Sequence, residues 1–200
     1  MAGIDIGILR GREALRHLDD VAALRIAVFA DWPYLYSGDM DYERDYLSAY
    51  AASPRSVFVL AFDGGRVVGA STGIPLADDA PAFRAPFVAH GLAVDGVFYF
   101  GESVLLAGHR GRGIGHAFFD AREAHARALD GFRMTAFAAV DRDAEDPRRP
   151  VGHRGHEDFW RKRGYRRQPG LTMYLDWEEH DVGTCSHALT FWTRALESAP

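Results

Sequence analysis

Runs of apolar residues separated by turn-forming residues divide the chain into short predicted strands. In a half-buried strand apolar and polar residues alternate, whereas a fully buried strand is a continuous apolar run. The strands predicted in this way cover residues 4–9, 56–62, 66–74, 97–106, 132–140, 171–177 and 187–196. Asp63-Gly64-Gly65 joins the second strand to the third, and this glycine turn between two apolar runs predicts a β-hairpin.

Stretches with an apolar period of 3.6 residues predict the helices that separate these strands. They cover residues 12–29 in two pieces, 39–50, 113–129 and 156–164, with a short helix or irregular segment at 81–90. In the helix from residue 113, Ile114 and Phe118 lie on the apolar face, and Asp120, Glu123 and Arg127 are predicted on the opposite, polar face. The strand–helix–strand unit around this helix predicts a right-handed crossover and a parallel pair of strands.

One arginine and one group of acidic residues are notable on the helices of the first half of the chain. Arg25 lies on the apolar side of the first helix, together with Val21, Leu24 and Val28. The start of the second helix is acidic, with Asp39, Asp41, Glu43 and Asp45. Because acidic side chains stabilise the N-terminus of any helix, we interpret them in that way rather than as recognition of an amine.

Length and composition narrow the class of protein. The 200 residues suit one domain over residues 1–200, and the 48% of apolar residues are enough for a sizeable core. A net charge of −5 without a basic stripe argues against a nucleic-acid partner. The single cysteine, the lack of a leader-like start and the lack of a membrane-spanning stretch predict a cytoplasmic protein that does not bind membranes.

A glycine-rich turn follows the predicted strand 97–106 and precedes the helix from residue 113. Gly111, Gly113 and Gly115 lack side chains that would keep a phosphate at a distance, and Arg110 and Arg112 add positive charge. Because the first N–H groups of a helix favour an anion, the turn predicts a phosphate site. A tight turn without a ligand would explain one glycine, but not three glycines with two arginines. The turn has neither the Lys-Ser/Thr of a P-loop nor the glycine spacing of a dinucleotide fold.

The stretch Arg110-Gly-Arg-Gly-Ile-Gly115 in this setting resembles the acyl-CoA signature of the GNAT (GCN5-related) N-acetyltransferase superfamily. Phe159-Trp160, followed by three residues and Gly164-Tyr165, resembles a second landmark of that family. The order of predicted elements is similar over about the whole chain. The resemblance implies an α/β (α+β) fold: a mixed, mostly antiparallel sheet of six to seven strands with a splayed parallel central pair, flanked by helices.

The resemblance also implies an activity, transfer of an acetyl group from acetyl-CoA to a primary amine of a small molecule or peptide. The amine would attack the thioester directly in a ternary complex, without a metal, and a homodimer is common in the family. The implied contacts of acetyl-CoA are the main chain of Leu105, Leu106 and Ala107 for pantetheine, and Arg110, Gly111, Arg112, Gly113, Ile114 and Gly115 for pyrophosphate. A non-catalytic acyl-CoA-binding or sensor module on the same fold is the alternative.

Glu102 is the candidate general base, because it is a carboxylate in an otherwise apolar strand and burial would raise its pKa. The alternative is a Glu that faces solvent or pairs with a core arginine. Tyr165 is the candidate acid. However, Trp160 stands where many relatives carry a tyrosine, so water or no acid at all stays open.

An aromatic segment supplies candidate contacts for the acceptor. Trp32, Tyr34 and Tyr36 line a substrate pocket in one interpretation and anchor a loop to the core in the other. His153 and His156 are three residues apart, but no third ligand has a matching spacing, so no metal site is expected.

Overall fold

The computed structural model describes residues 3–196, in which seven strands form one sheet with the order β1-β2-β3-β4-β5-β7-β6. The strands are β1 (Asp5–Arg10), β2 (Val57–Asp63), β3 (Arg66–Pro75), β4 (Val97–Leu105), β5 (Met134–Val140), β6 (Arg166–Glu179) and β7 (Gly183–Ala195). Only β4 and β5 pair in parallel, and the other neighbours are antiparallel. The predicted mixed sheet with a parallel central pair is therefore confirmed.

Helices cover both faces of this sheet. They are α1 (Leu18–Phe29), α2 (Met40–Ala52), α3 (Pro81–Ala89), α4 (Ile114–Ala128) and α5 (Glu157–Lys162), and a 3-10 helix (Gly11–His17) forms the first of the two predicted pieces before α1. Helices α1, α2 and α3 pack on one face, where Leu24, Leu47 and Phe87 join the core. Helices α4 and α5 pack on the other. Within the described part of the chain, no helix has the length and apolar character to cross a membrane.

The two closing strands are longer than the sequence predicts, and they form a long hairpin. Strand β6 begins at Arg166 rather than at residue 171, and β7 begins at Gly183 rather than at residue 187. The added residues are mostly polar and exposed, so they carry little apolar periodicity. Main-chain pairing between the two strands forms the hairpin there, for example between Glu179 and Gly183.

The polar face predicted for α4 is wrong at Glu123, which is only 4% exposed. Its carboxylate accepts hydrogen bonds from Arg194 at 2.9 Å, Tyr165 at 3.2 Å and Arg163 at 3.3 Å. These donors come from the chain around α5 and from β7, which pack beside α4 and bury one flank of its polar side. Asp120, which is also on the predicted polar face, is exposed.

Strands β4 and β5 separate after a short parallel pairing. The pairs run from Val97–Met134 through Tyr99–Ala136, and beyond them β4 stays paired with β3 alone, as far as Gly69–Leu105. This is the splayed pair that the sequence resemblance implied. It leaves one edge of β4 open just before the glycine turn.

A β-bulge in β4 lies at the point where the strands separate. The register with β3 changes from Ser71–Ser103 to Gly73–Phe100, so Gly101 and Glu102 lie opposite one residue of β3. A bulge adds one residue and shifts the alternation of side chains between the faces. Glu102 therefore lies on the face of α1 and α2. A Cβ at Gly101 would lie 2.5 Å from the Thr72 hydroxyl, so the bulge needs a glycine there.

Candidate active site

The glycine turn begins as a 3-10 turn (Ala107–His109) after β4 and ends at Gly113, which caps α4. Gly111 and Gly113 have φ angles of 77° and 80°, a left-handed conformation that favours glycine. A Cβ at either position would meet no atom within 4 Å, so the space beside both glycines is open. His109 ties the turn to the β2–β3 hairpin through a contact of 3.0 Å with Asp63.

The first N–H groups of α4 point out of the turn without protein partners. Among residues 3–196, the N–H groups of residues 111–115 donate to no protein atom, and no side chain caps the helix. An anion at this end would satisfy these donors and the positive end of the helix dipole. Arg112 is exposed beside them. The turn thus has the geometry of an anion cradle.

The three residues predicted to contact pantetheine lie between the open edge of β4 and the turn. The Leu106 N–H donates to the Val68 carbonyl at 3.0 Å, so the main chain of Leu106 faces β3. Because antiparallel pairs alternate between bonded and non-bonded, the main chain of Leu105 faces the gap toward β5. There the Leu105 carbonyl accepts a hydrogen bond from the Arg110 side chain at 3.3 Å. The Ala107 carbonyl accepts from the Arg110 N–H within the turn.

Glu102 is buried at the bulge, where it is 5% exposed, and it pairs with a core arginine. Arg25 from α1 donates to Glu102 Oε2 at 2.5 Å and also donates to Glu43 Oε2 from α2. Burial raises the pKa of Glu102, and the positive charge of Arg25 opposes that rise. Glu102 therefore pairs with a core arginine, as one of the two interpretations predicted. Its carboxylate also lies where β4 and β5 separate, so its role as the general base stays a prediction.

Sequence reasoning missed Arg25, Glu43 and Asp79 as members of this site. Tyr50 donates to Asp79 at 2.9 Å, and burial raises the pKa of Asp79 to about 6. A signal for Arg25 was present, since a charged residue on the apolar side of a helix needs a buried partner. The sequence did not distinguish Glu43 from the neighbouring acids that stabilise the start of the helix, and no sequence pattern indicated that Asp79 would be buried.

The aromatic segment of residues 32–36 lies near Arg25 and Glu102 and is anchored by residues outside that pair. The Tyr34 ring is 4.4 Å from the Phe29 ring, and the Tyr34 carbonyl accepts from Trp177 at 3.1 Å and from Arg142 at 3.0 Å. Burial raises the pKa of the Tyr34 hydroxyl, and the charges of Arg25 and Glu102 also act on it. Tyr36 forms a β-bridge with Glu179, and the Trp32 ring lies near Arg142. These contacts anchor the segment to the core, and its role as the wall of a substrate pocket stays a prediction.

Tyr165 lies on the opposite face of the sheet from the Glu102 carboxylate. Its hydroxyl is 2.9 Å from the Thr135 hydroxyl and donates to Glu123 at 3.2 Å. The ring packs among Phe119 and Phe137 under α4, and burial raises the pKa of the hydroxyl. The fold does not bring Tyr165 and Glu102 together.

Among the residues that the structure describes, one group of donor atoms could hold a metal ion, and it differs from the pair His153 and His156 considered in the sequence. Glu179, Cys185 and His187 have ligand atoms within 4.8 Å of one another, at the β6–β7 hairpin. Glu179 already forms ion pairs with Arg142 and Arg148. Their two positive charges oppose binding of a cation at this carboxylate.

Comparisons with known proteins identify a family and similar folds. A family model described as "Acetyltransferase (GNAT) family" matches residues 21–151. No curated protein gives a match. The N-acetyltransferase from Staphylococcus aureus Mu50 superposes with a TM-score of 0.63 at 14% identity, over 98% of this chain and 100% of that one.

Two further solved structures have the same fold. The ribosomal-protein-alanine N-acetyltransferase from Brucella melitensis has a TM-score of 0.61 at 14% identity, over 95% of this chain and 99% of that one. The GNAT superfamily phosphinothricin acetyltransferase from Sinorhizobium meliloti, in complex with AcCoA, has a TM-score of 0.58 at 16% identity, over 96% and 88%. At such identities the likeness establishes the fold alone.

Proposed function

Because the chain belongs to the GNAT acetyltransferase family, we propose that it is an acetyl-CoA-dependent N-acetyltransferase whose acceptor is a primary amine. The observation that carries this proposal is the open anion cradle at the start of α4, directly beside the separated strands β4 and β5. A relative of the same fold was solved with AcCoA, which supports the choice of donor. All described strands share one sheet, which supports a single domain over residues 1–200.

Acetyl-CoA would bind across the turn and the gap. Its pyrophosphate would accept hydrogen bonds from the free N–H groups of the turn, with the arginine charges beside it. The proposed residues are Arg110, Gly111, Arg112, Gly113, Ile114 and Gly115. The pantetheine arm would lie along the open edge of β4, with main-chain pairing at Leu105 and contacts to Leu106 and Ala107. Arg110 would release the Leu105 carbonyl when the arm binds.

The chemistry needs a neutral amine, because a protonated one has no free electron pair. In the proposed mechanism the ammonium gives one proton to the Glu102 carboxylate, directly or through one water. The nitrogen then forms a bond to the thioester carbon, the C–S bond breaks, and the nitrogen gives its second proton to solvent. CoA leaves as a thiolate that takes a proton from solvent, since the Tyr165 hydroxyl is engaged on the far face of the sheet.

The acceptor would enter beside the aromatic segment of Trp32, Tyr34 and Tyr36. Tyr34 supports this direction, because its hydroxyl is in the same buried environment as Arg25 and Glu102. The rings would hold the apolar part of the amine, while their anchoring by Arg142 and Trp177 keeps the wall in place.

The alternative, a non-catalytic acyl-CoA sensor, is favoured by one observation, the engagement of Glu102 in a buried ion pair. A panel of primary amines with acetyl-CoA, monitored by release of free CoA, separates the two functions. We expect at least one amine to be acetylated. Acetyl-CoA binding without turnover of any amine would favour the sensor.

A second experiment tests the phosphate site with a variant that disrupts acetyl-CoA binding but keeps the fold. Gly113→Glu places a negative side chain where the phosphate would bind and where a left-handed φ disfavours a side chain. We expect calorimetry to show loss of acetyl-CoA binding while the circular dichroism spectrum stays that of the wild type. Normal binding by this variant would contradict the assignment of the turn. Arg16→Glu, an exposed charge change on the 3-10 helix, is the control.

A further inference from the structure

One guanidinium, that of Arg25, serves two buried carboxylates that come from different elements. It donates to Glu43 on α2 and, at 2.5 Å, to Glu102 on β4. The side chains of Arg25, Glu43 and Glu102 are 10%, 0% and 2% exposed. The rings of Phe29 and Tyr46 hold the guanidinium, at 5.0 and 4.4 Å from its carbon. Arg25 is therefore fixed in one position by charge and by packing.

The charges in this cluster do not balance when both carboxylates are ionised. Each carboxylate uses one oxygen on Arg25, and among the described residues its other oxygen, Oε1, has no hydrogen-bond partner. The positive charge of Arg25 favours the ionised form of Glu102, whereas the negative charge of Glu43 disfavours it and competes for the same donor.

We propose that Arg25 and Glu43 are positioning residues for the reaction, which hold Glu102 at the bulge and set how tightly it binds the proton of the acceptor amine. This inference rests on the proposed function, in which Glu102 is the base. In the step concerned, an N–H bond of the ammonium breaks, the proton joins the Glu102 carboxylate, and the electron pair stays on nitrogen. Neither Arg25 nor Glu43 gains or loses a proton in that step.

Other titratable groups also face Glu102 from the elements packed around it. They are Tyr34 from the aromatic segment, Tyr46 and Tyr50 from α2, Asp79 before α3, Tyr99 from β4 and Arg122 from α4. Burial raises the pKa of each of these tyrosines, so they are neutral at pH 7. Asp79 is bound by Tyr50, and Arg122 contacts the main-chain carbonyl of Glu102 at 3.1 Å. Among the described residues, Arg25 is the charged group that touches the carboxylate itself.

The experiment measures the protonation of Glu102 in two independent ways. The first is the dependence of kcat/KM on pH with the best amine of the panel. The second is a carbon-13 NMR titration of the glutamate carboxyl carbons, in which Glu102→Gln assigns the Glu102 signal. The NMR titration needs no turnover, so a failure of the proposed function and a failure of this inference give different results.

Glu43→Gln and Arg25→Gln are expected to shift the titration of Glu102 in opposite directions. Glu43→Gln removes a competing negative charge, so the ascending limb and the NMR midpoint move to lower pH by about one unit. Arg25→Gln removes the positive charge, so both move to higher pH by at least as much. Asp45→Asn is the control, because Asp45 is an exposed acid on the same helix and its loss should shift neither midpoint.

Arg25→Gln leaves two unpaired buried carboxylates and can fail to fold, so the double variant Arg25→Gln/Glu43→Gln is included. It removes the ion pair as a unit, and we expect an upward shift smaller than that of Arg25→Gln. A Glu43→Gln protein that folds but leaves both midpoints unchanged would overturn the inference. Loss of activity in that variant without any shift would show that Glu43 has a purely structural role.

Discussion

Variants of Glu123 and Asp120 can measure how burial changes the contribution of an ion pair to the free energy of unfolding. Both acids lie on the side of α4 that the sequence predicts to be polar, and both accept from the same Arg163 nitrogen. Their side chains are 5% and 67% exposed. Glu123→Gln and Asp120→Asn each remove one charge with little change in shape, so the pair of variants is matched.

The expected magnitudes follow from the contacts. Breaking a buried ion pair by removing one partner costs about 3–5 kcal/mol, and an exposed pair contributes about 0–1 kcal/mol. Glu123→Gln keeps one acceptor oxygen for Tyr165, and Arg194, its second cationic partner, is one-third exposed. Both facts reduce the cost, so we expect a loss of about 2–3 kcal/mol for Glu123→Gln and less than about 1 kcal/mol for Asp120→Asn.

Urea unfolding at neutral pH, followed by circular dichroism, measures both free energies of unfolding. For a chain of this size, about 1 kcal/mol corresponds to 2–4 °C in Tm, so Glu123→Gln should lower the Tm by about 5–10 °C. Raising the salt concentration should reduce the effect of Asp120→Asn more, because exposed charges are screened more strongly. Equal and small losses for the two variants would refute the reasoning and would place Glu123 on the solvent side of α4.

Three further variants test the proposed site. Glu102→Gln keeps the shape and removes the base, so kcat/KM should fall about 10²–10⁴-fold and lose its ascending limb, with acetyl-CoA affinity unchanged by calorimetry; wild-type turnover across the pH range would exclude Glu102 as the base. Tyr34→Phe keeps the ring contacts with Phe29 and Trp177, so the Tm should stay constant. Because it removes the hydroxyl, the acceptor KM should rise, and an unchanged KM would exclude the hydroxyl from the acceptor site. Asp79 has a folded pKa of about 6, above its ordinary 3.8, so the native state holds the proton more tightly and the contribution of Asp79 to stability falls as pH rises from about 4 to 6. Asp79→Asn should remove that fall in urea titrations, and a parallel pH dependence in both proteins would contradict the burial of this carboxyl.

Local patterns in the sequence were sufficient for the order of elements and for the glycine turn. Apolar period, hairpin glycines and helix breakers act within a few residues, so the strand order along the chain and the two-piece first helix follow from them. The turn from Arg110 to Gly115 is also a local feature. Its left-handed glycines and free N–H groups depend on residues that are adjacent in the chain.

The site around Glu102 needed the tertiary structure. Regular alternation along β4 would place Glu102 on the same face as Phe98 and Phe100, toward α4. The bulge opposite Thr72 shifts that alternation, and Glu102 turns toward Arg25 instead. A bulge depends on the register between two strands, which no apolar period within one strand specifies.

Burial of charged residues was likewise decided by contacts between distant segments. Arg25 and Glu102 are 77 positions apart, and Glu123 meets Arg194 from 71 positions away. The sequence determined that Arg25 falls on an apolar helix face and that Glu102 interrupts an apolar strand. Only the packing of α1 and α2 on the sheet decided that they share a guanidinium–carboxylate contact, because ion pairs form wherever the fold brings opposite charges out of water together.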